Sequence, residues 1–290
     1  MGILFLADQF SEQYPGGAEL SDEALIRRLL KHTDVIRINT REATPSRLEK
    51  YRKAPILIGN ASHLSNESRQ WLITSRSWFA IIEHDHHYLK RRNPCLYPNL
   101  TAPPEELSQV DFFLAAQLVI CQTHFHESVM RRSISQAKTW VLECNFWHEE
   151  WFPIFSRLRR EAKRIPLAAV QDSTQLVKNT QGALDYCKKH DLPCRLIPKL
   201  AYPEFIQLLA TNQRLVFMPL WIESFSRITA EAMMLGLNII GNHNIGLLHE
   251  PWLEDLRSKH RVRPGLAEAL AERLRKRNIE ATETLLKMLP

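Results

Sequence analysis

The sequence is poor in cysteine and in long apolar runs, and each shortage excludes a class of protein. Its five cysteines, Cys95, Cys121, Cys144, Cys187 and Cys194, are odd in number and include no C-x-x-C pair. Neither a disulfide framework nor a zinc knuckle is expected. No apolar stretch approaches the roughly 18 to 20 residues that span a bilayer. The N-terminus enters a strand-like segment without a basic leader, so the expected compartment is the cytoplasm, the host's if the chain is phage-encoded. No low-complexity tract or repeat period is present, which sets aside solenoids and disordered arrays.

What is there is ordinary globular material. The 290 residues are 44% hydrophobic and 24% charged, enough for two compact domains. The net charge of +6 gives a mild attraction to polyanions and decides nothing alone. Cations gather at Lys90-Arg91-Arg92 and at Arg157, Arg159, Arg160, Lys163 and Arg164. The second group reads as a solvated helix face.

Short β-type runs alternate with helical patterns through the first half, as parallel βα units require. Strands are expected at 3–7, 35–39, 56–59, 78–83, 118–122 and 139–142, and helices at 18–31, 45–53, 66–75, 104–115 and 124–133. The segment 145–164, NFWHEEWFPIFSRLRREAKR, has dense aromatics, a proline and a basic tail without strand period, and is expected to be a linker. The alternation then restarts: strands at 167–171, 194–197, 215–219 and 238–241, and helices at 176–190, 203–211, 227–235 and from 251 to 289. The expected organisation is a first domain over 1–145, a linker over 146–164 and a second domain over 165–290. Two doubly wound α/β domains place ligands at the carboxyl ends of their strands.

The most informative stretch runs from 215 to 250, LVFMPLWIESFSRITAEAMMLGLNIIGNHNIGLLHE. A strand ends near Pro219, Glu223 follows in a loop, a helix opens near Ser226, and Glu231 lies eight residues after Glu223. The helix start between the two acids offers free N–H groups and a positive dipole end to phosphate. Pro219, Glu223, Ser224, Phe225, Ser226, Glu231, Ala232, Met233 and Gly236, followed by an apolar strand, together resemble the E-x7-E donor signature of the retaining, family 4-like GT-B glycosyltransferases. That family includes lipopolysaccharide and sucrose-type enzymes. The resemblance implies two Rossmann-like domains facing across a cleft and a metal-independent hexosyltransferase that retains configuration. No cofactor is implied; a nucleotide-sugar donor, a UDP-sugar by the family's habit, is the co-substrate. By the same resemblance Glu231 binds the ribose, Glu223 holds sugar hydroxyls, and the backbone of Ser224, Phe225 and Ser226 lines the sugar and phosphate pocket.

Three further segments bear on the same reading. Gly16-Gly17, with Glu19 behind them, is similar to the family's GG-x-E element against the donor diphosphate. Gly241-Asn-His-Asn-Ile-Gly246 is a small-residue loop in which Asn244 and Gly246 can approach the donor, or an ordinary turn. FAIIEHDHHYLKRRN delivers Glu83, His84, Asp85, His86 and His87 to a strand end. It is similar to the HDH segment of the α-glucosyltransferases with which phages modify hydroxymethylated DNA. That likeness implies His84 and Asp85 as catalytic contacts alongside Lys178 and Glu223, and His86, Lys90, Arg91 and Arg92 as contacts to acceptor or phosphate. A metal held by His84, His86, His124 and His126 lacks a recognised ligand spacing, so none is assigned.

One departure stands out. The family's diphosphate-gripping lysine is matched by Lys178, but its arginine is replaced around Gln171-Asp172. Leaving-group stabilisation then falls to Lys178, the helix N-terminus and Arg227 or Arg195. The expected acceptor is a hydroxymethylated base in duplex DNA, with a glycan or lipid-linked saccharide as alternative. A catalytically silent nucleotide-binding protein is the reading from another class. No obligate protein partner is implied.

Overall fold

The computed structural model of the chain describes residues 2–259 and 263–290. The chain divides into two units, one running to His148 and including Arg277–Pro290, the other Glu149–Lys276. The sequence placed the whole C-terminal segment in the second domain; here the last helix begins in the second unit and ends in the first.

The first unit carries a six-stranded, wholly parallel sheet of order β2-β1-β3-β4-β5-β6. Its strands are β1 (Ile3–Ala7), β2 (Val35–Asn39), β3 (Ile56–Ile58), β4 (Phe79–Ile82), β5 (Leu118–Cys121) and β6 (Thr139–Val141). Every residue of β1, β3 and β4 is buried, whereas the edge strand β2 buries only Ile38 fully. Continuous apolar runs are what a sheet covered on both faces demands. The covering helices are α1 (Gly17–Leu29), α2 (Pro45–Glu49), α3 (Asn66–Thr74), α4 (Val110–Ala115) and α5 (His124–Ser133). The helix expected over 104–115 is split: Pro104–Glu106 forms a 3-10 turn, and Gln109 adopts a left-handed backbone before α4.

The second unit repeats the plan with four parallel strands of order β10-β9-β7-β8. These are β7 (Ile165–Gln171), β8 (Cys194–Ile197), β9 (Asn212–Phe217) and β10 (Asn238–Gly241). The segment expected as a linker contains a helix, α6 (Trp151–Glu161). Pro153 lies in its first turn, where no intrahelical N–H is needed, so it starts the helix instead of breaking it. Trp151, Phe152 and Phe155 are buried on one face of α6. Remaining helices are α7 (Thr180–Lys189), α8 (Tyr202–Ala210), α9 (Arg227–Met234), α10 (Pro251–Lys259) and α11 (Arg263–Met288). Positions 260–262 of the expected C-terminal helical segment lie outside the described residues.

The basic tail of α6 does more than face solvent. Arg159 donates to the Met234 carbonyl at 3.1 Å, and Arg164 to the Gly236 carbonyl at 3.0 Å. Both therefore cap the C-terminus of α9, where the orphan carbonyls and the negative dipole end favour cations. Gly236 supplies the left-handed φ of +81° there. Leu237 N–H reaches the Ala232 carbonyl and Gly236 N–H that of Met233, both at 2.9 Å, completing a Schellman stop.

Candidate functional site

In each sheet the chain reverses its direction of growth at one place, between β1 and β3 in the first unit and between β7 and β9 in the second. Loops leaving the carboxyl ends of strands at such a switch point diverge and leave room for a ligand. The loops after β7 and β9 carry Lys178 and Glu223.

Lys178 closes a 3-10 turn, Leu176–Lys178, directly before α7. Its neighbour Asn179, left-handed at φ 52°, caps α7 by accepting from Gly182 N–H and donates to the Met218 carbonyl at the end of β9 at 2.8 Å. This tie draws the two loops together, and Lys178 Nζ lies 2.8 Å from Glu223 Oε1. The helix expected over 176–190 breaks at Asn179 for this reason. Gln171 ends β7 with its carboxamide oxygen buried and no hydrogen-bond partner, while Asp172 is exposed. Arg195 is occupied elsewhere, donating to Asn212 Oδ1 at 2.8 Å and to the Leu208 carbonyl at 3.1 Å. It fastens the end of α8 and is not available as a leaving-group cation.

Glu223 is fixed by its backbone. Its N–H donates to the Asn244 carbonyl at 2.8 Å and its carbonyl accepts from Gly246 N–H at 2.9 Å. Asn244 also donates through its side chain to the carbonyls of Pro219 and Leu220, at 2.9 and 3.1 Å. A Cβ at Gly246 would meet the Ser224 carbonyl oxygen at 2.4 Å, so only glycine allows this approach. The Gly246 amide is thus directed at the Glu223 carbonyl, and Asn244 and Gly246 brace the acid loop. Ser224, Phe225 and Ser226 are buried. Ser226 takes a left-handed φ of 77° to turn the chain into α9, and its hydroxyl lies 2.8 Å from that of Thr229.

Glu231 is not a surface residue of α9; it is 2% exposed. Arg227, one turn earlier, places Nε 2.9 Å from Glu231 Oε1, and the Tyr202 hydroxyl donates to the same oxygen at 2.6 Å. Arg227 also donates to the Tyr202 hydroxyl at 3.2 Å and lies 5.3 Å over its ring. Burial alone would depress the Arg227 pKa, but Tyr202 and Glu231 raise it above the ordinary guanidinium value. Arg227 is therefore a partner of Glu231.

In the first unit, Gly16 and Gly17 open α1, with Gly16 as an N-cap of extended conformation. His84 follows β4 and is buried, with Nε2 2.9 Å from Asp22 Oδ1 and Nδ1 2.6 Å from Gln122 Nε2. Asn145 donates to Gln122 Oε1 at 2.8 Å, and Asn278 to the Asn145 carbonyl at 2.7 Å. Burial alone would depress the His84 pKa; Asp22, with Asp85 and Glu19, raises it to about 9. Both ring nitrogens are engaged within the protein. Asp85 is exposed. Glu83 is buried and accepts from the backbone N–H of Asp85 and of His87, with His87 Nδ1 2.9 Å away. Burial would raise its pKa, but the imidazole of His87 holds it well below the carboxylate range.

His86 is 1% exposed, its ring edge-on to those of His126 and Tyr88. Its left-handed φ of 55° breaks the extended run that follows β4. The three cations after it each have a partner within the protein. Lys90 donates to the Glu105 carbonyl, Arg91 Nε lies 3.7 Å from Glu106, and Arg92 donates to Ser62 Oγ at 2.6 Å.

Sequence reasoning missed Asp8, Asp22, Gln122 and Tyr202. Asp8, just past β1, accepts from the N–H groups of Ser62 and His63 at 2.8 and 3.0 Å and from the Thr40 hydroxyl, pinning three strand-end loops. An acid directly after a first strand was the available signal. Asp22 and Tyr202 carried none, since their partners lie 62 and 29 residues away.

No protein-family profile and no curated protein sequence matches the chain. Solved structures do. HepE from Anabaena, crystallised with UDP-glucose, is 15% identical with a TM-score of 0.58, covering 99% of this chain and 100% of that one. A glycosyltransferase from Rickettsia africae is 11% identical with a TM-score of 0.58, over 99% and 97%. UDP-GlcNAc 2-epimerase from Neisseria meningitidis, bound to UDP-GlcNAc, is 12% identical with a TM-score of 0.51, over 99% of each chain. At this identity the likeness shows the fold, which is GT-B.

Proposed function

We propose that the protein is a retaining, metal-independent glycosyltransferase that takes its sugar from a UDP-sugar. The observation that carries this reading is the second unit's switch point, where Lys178 and Glu223 meet at 2.8 Å and the buried Glu231 stands on the helix that follows. Anabaena HepE, similar over its full length, was crystallised with UDP-glucose. Glu231 accepts hydroxyls of the ribose, Lys178 and the first amides of α9 face the diphosphate, and Glu223 holds donor-sugar hydroxyls. As the anomeric carbon–phosphate bond breaks, the acceptor oxygen bonds on the same face and its proton passes to the departing phosphate. No protein nucleophile is needed, and stabilisation of the leaving charge supplies most of the rate.

Arg227 and Arg195 are bound to other partners, so Lys178 carries the leaving charge in place of the family's arginine. Lys178→Ala is expected to lower turnover by about 100-fold, the scale of losing one such contact, with a smaller change in KM. Donor consumption and product anomer, followed by NMR over a panel of UDP-sugars, check this. Inversion at the anomeric carbon would remove the retaining assignment, and full turnover in Lys178→Ala the assignment of that residue.

For the acceptor, duplex DNA bearing hydroxymethylated bases is supported by the net charge of +6 and the HDH segment. A saccharide is supported by the partners that Lys90, Arg91 and Arg92 already have within the protein, which leave them less free for a phosphate backbone. Transfer to hydroxymethylcytosine-containing DNA, with steep salt dependence, distinguishes the first from the second.

A further inference from the structure

We infer that Tyr202 and Arg227 are positioning residues that preset the Glu231 carboxylate for the vicinal diol of the nucleotide's ribose. This rests on the ribose assignment of Glu231 made above and adds the two groups that make the assignment chemically workable. A buried carboxylate needs a compensating charge and a filled hydrogen-bond shell. Arg227 provides the first from the same helix, one turn before, at 2.9 Å. Tyr202, from the first turn of α8, provides the second at 2.6 Å on the same oxygen, Oε1.

The three groups close a ring of contacts, since Arg227 also donates to the Tyr202 hydroxyl at 3.2 Å. Trp151 of α6 packs edge-on against the Tyr202 ring at 4.4 Å and holds it in place. Burial pushes the Tyr202 phenol well above its usual pKa, so it stays a donor at any working pH. Residues of the consecutive helices α8 and α9 thus fix one carboxylate rotamer before a ligand arrives. Discrimination for a ribose over a deoxyribose follows from that fixed geometry, because a carboxylate free to swing recovers little from an added hydroxyl.

The test is calorimetric titration of the full chain with UDP and with 2′-deoxy-UDP. Wild type is expected to prefer UDP by about tenfold or more, the size of one hydrogen bond to a charged group. Tyr202→Phe, which keeps the ring against Trp151, is expected to bring the preference below about threefold while affinity for 2′-deoxy-UDP changes little. Arg227→Met is expected to do the same, and Arg227→Lys to restore part of the preference. Undiminished preference in Tyr202→Phe or Arg227→Met, in protein that melts as wild type does, would overturn the inference. A wild type without any preference would remove the ribose assignment of Glu231 and this inference with it.

Discussion

His84 lies between Asp22 on one ring nitrogen and the Gln122 carboxamide on the other, and its titration is tied to both. With Gln122 donating to Nδ1, the ring is neutral and its proton sits on Nε2, toward Asp22. Charging the ring at Nδ1 requires Gln122 to present its oxygen instead, and Asn145 to follow. The surrounding carboxylates raise the pKa to about 9, above the roughly 6.5 of a free histidine. The folded state therefore binds this proton more tightly than the unfolded chain. Its stabilisation, on the order of 3 kcal/mol at most, is fully present below about pH 6.5 and is lost as pH rises through 9. Urea midpoints at pH 6.5, 7.5 and 9 are expected to fall in wild type and to vary much less in Asp22→Asn; parallel curves would contradict the pairing. His84 was legible in the sequence as a strand-end residue, but its engagement was not, because Asp22 lies on α1 and Gln122 beyond the next strand. Glu231 was legible through spacing, and its burial under Tyr202 was hidden by the same long-range pairing.

Among the elements, α9 depends on residues outside it. Its C-terminus is stopped by Gly236 and capped by Arg159 and Arg164. Removing either cap leaves a helix-terminal carbonyl without its charged donor. Arg164→Ala and Arg159→Ala are each expected to lower stability by about 1 kcal/mol, measured by urea denaturation near neutral pH; no loss in either would show these arginines to be surface charges. The sequence presented both as members of a basic run and gave no sign of the carbonyls they meet, which lie about 70 positions later. Helix α6 was concealed by reading the aromatic, proline and basic segment as a linker, although Trp151 and Phe155 already had helical spacing. Asn179 misled in the opposite direction. Its neighbours have a helical pattern, and a left-handed cap interrupts it to bring Lys178 beside Glu223.

At the scale of the molecule, the alternation of apolar runs and amphipathic helices was sufficient to expect two doubly wound parallel sheets, because each strand had to be covered on both faces. Strand order was not readable, since parallel pairing leaves no turn signature, and the switch points that carry the candidate site emerge only from that order. The return of the chain's end to the first unit was equally silent, resting on contacts such as Asn278 with Asn145 and with the Trp147 N–H. On the function proposed, the second unit's switch point binds a nucleotide sugar through Glu231. Titration calorimetry with UDP-glucose on wild type and on Glu231→Gln, which keeps the shape and removes the charge, tests it most directly. Wild type is expected to bind saturably and the variant about tenfold or more weakly; equal affinity in both proteins, or none in wild type, would contradict a role for Glu231 in donor binding.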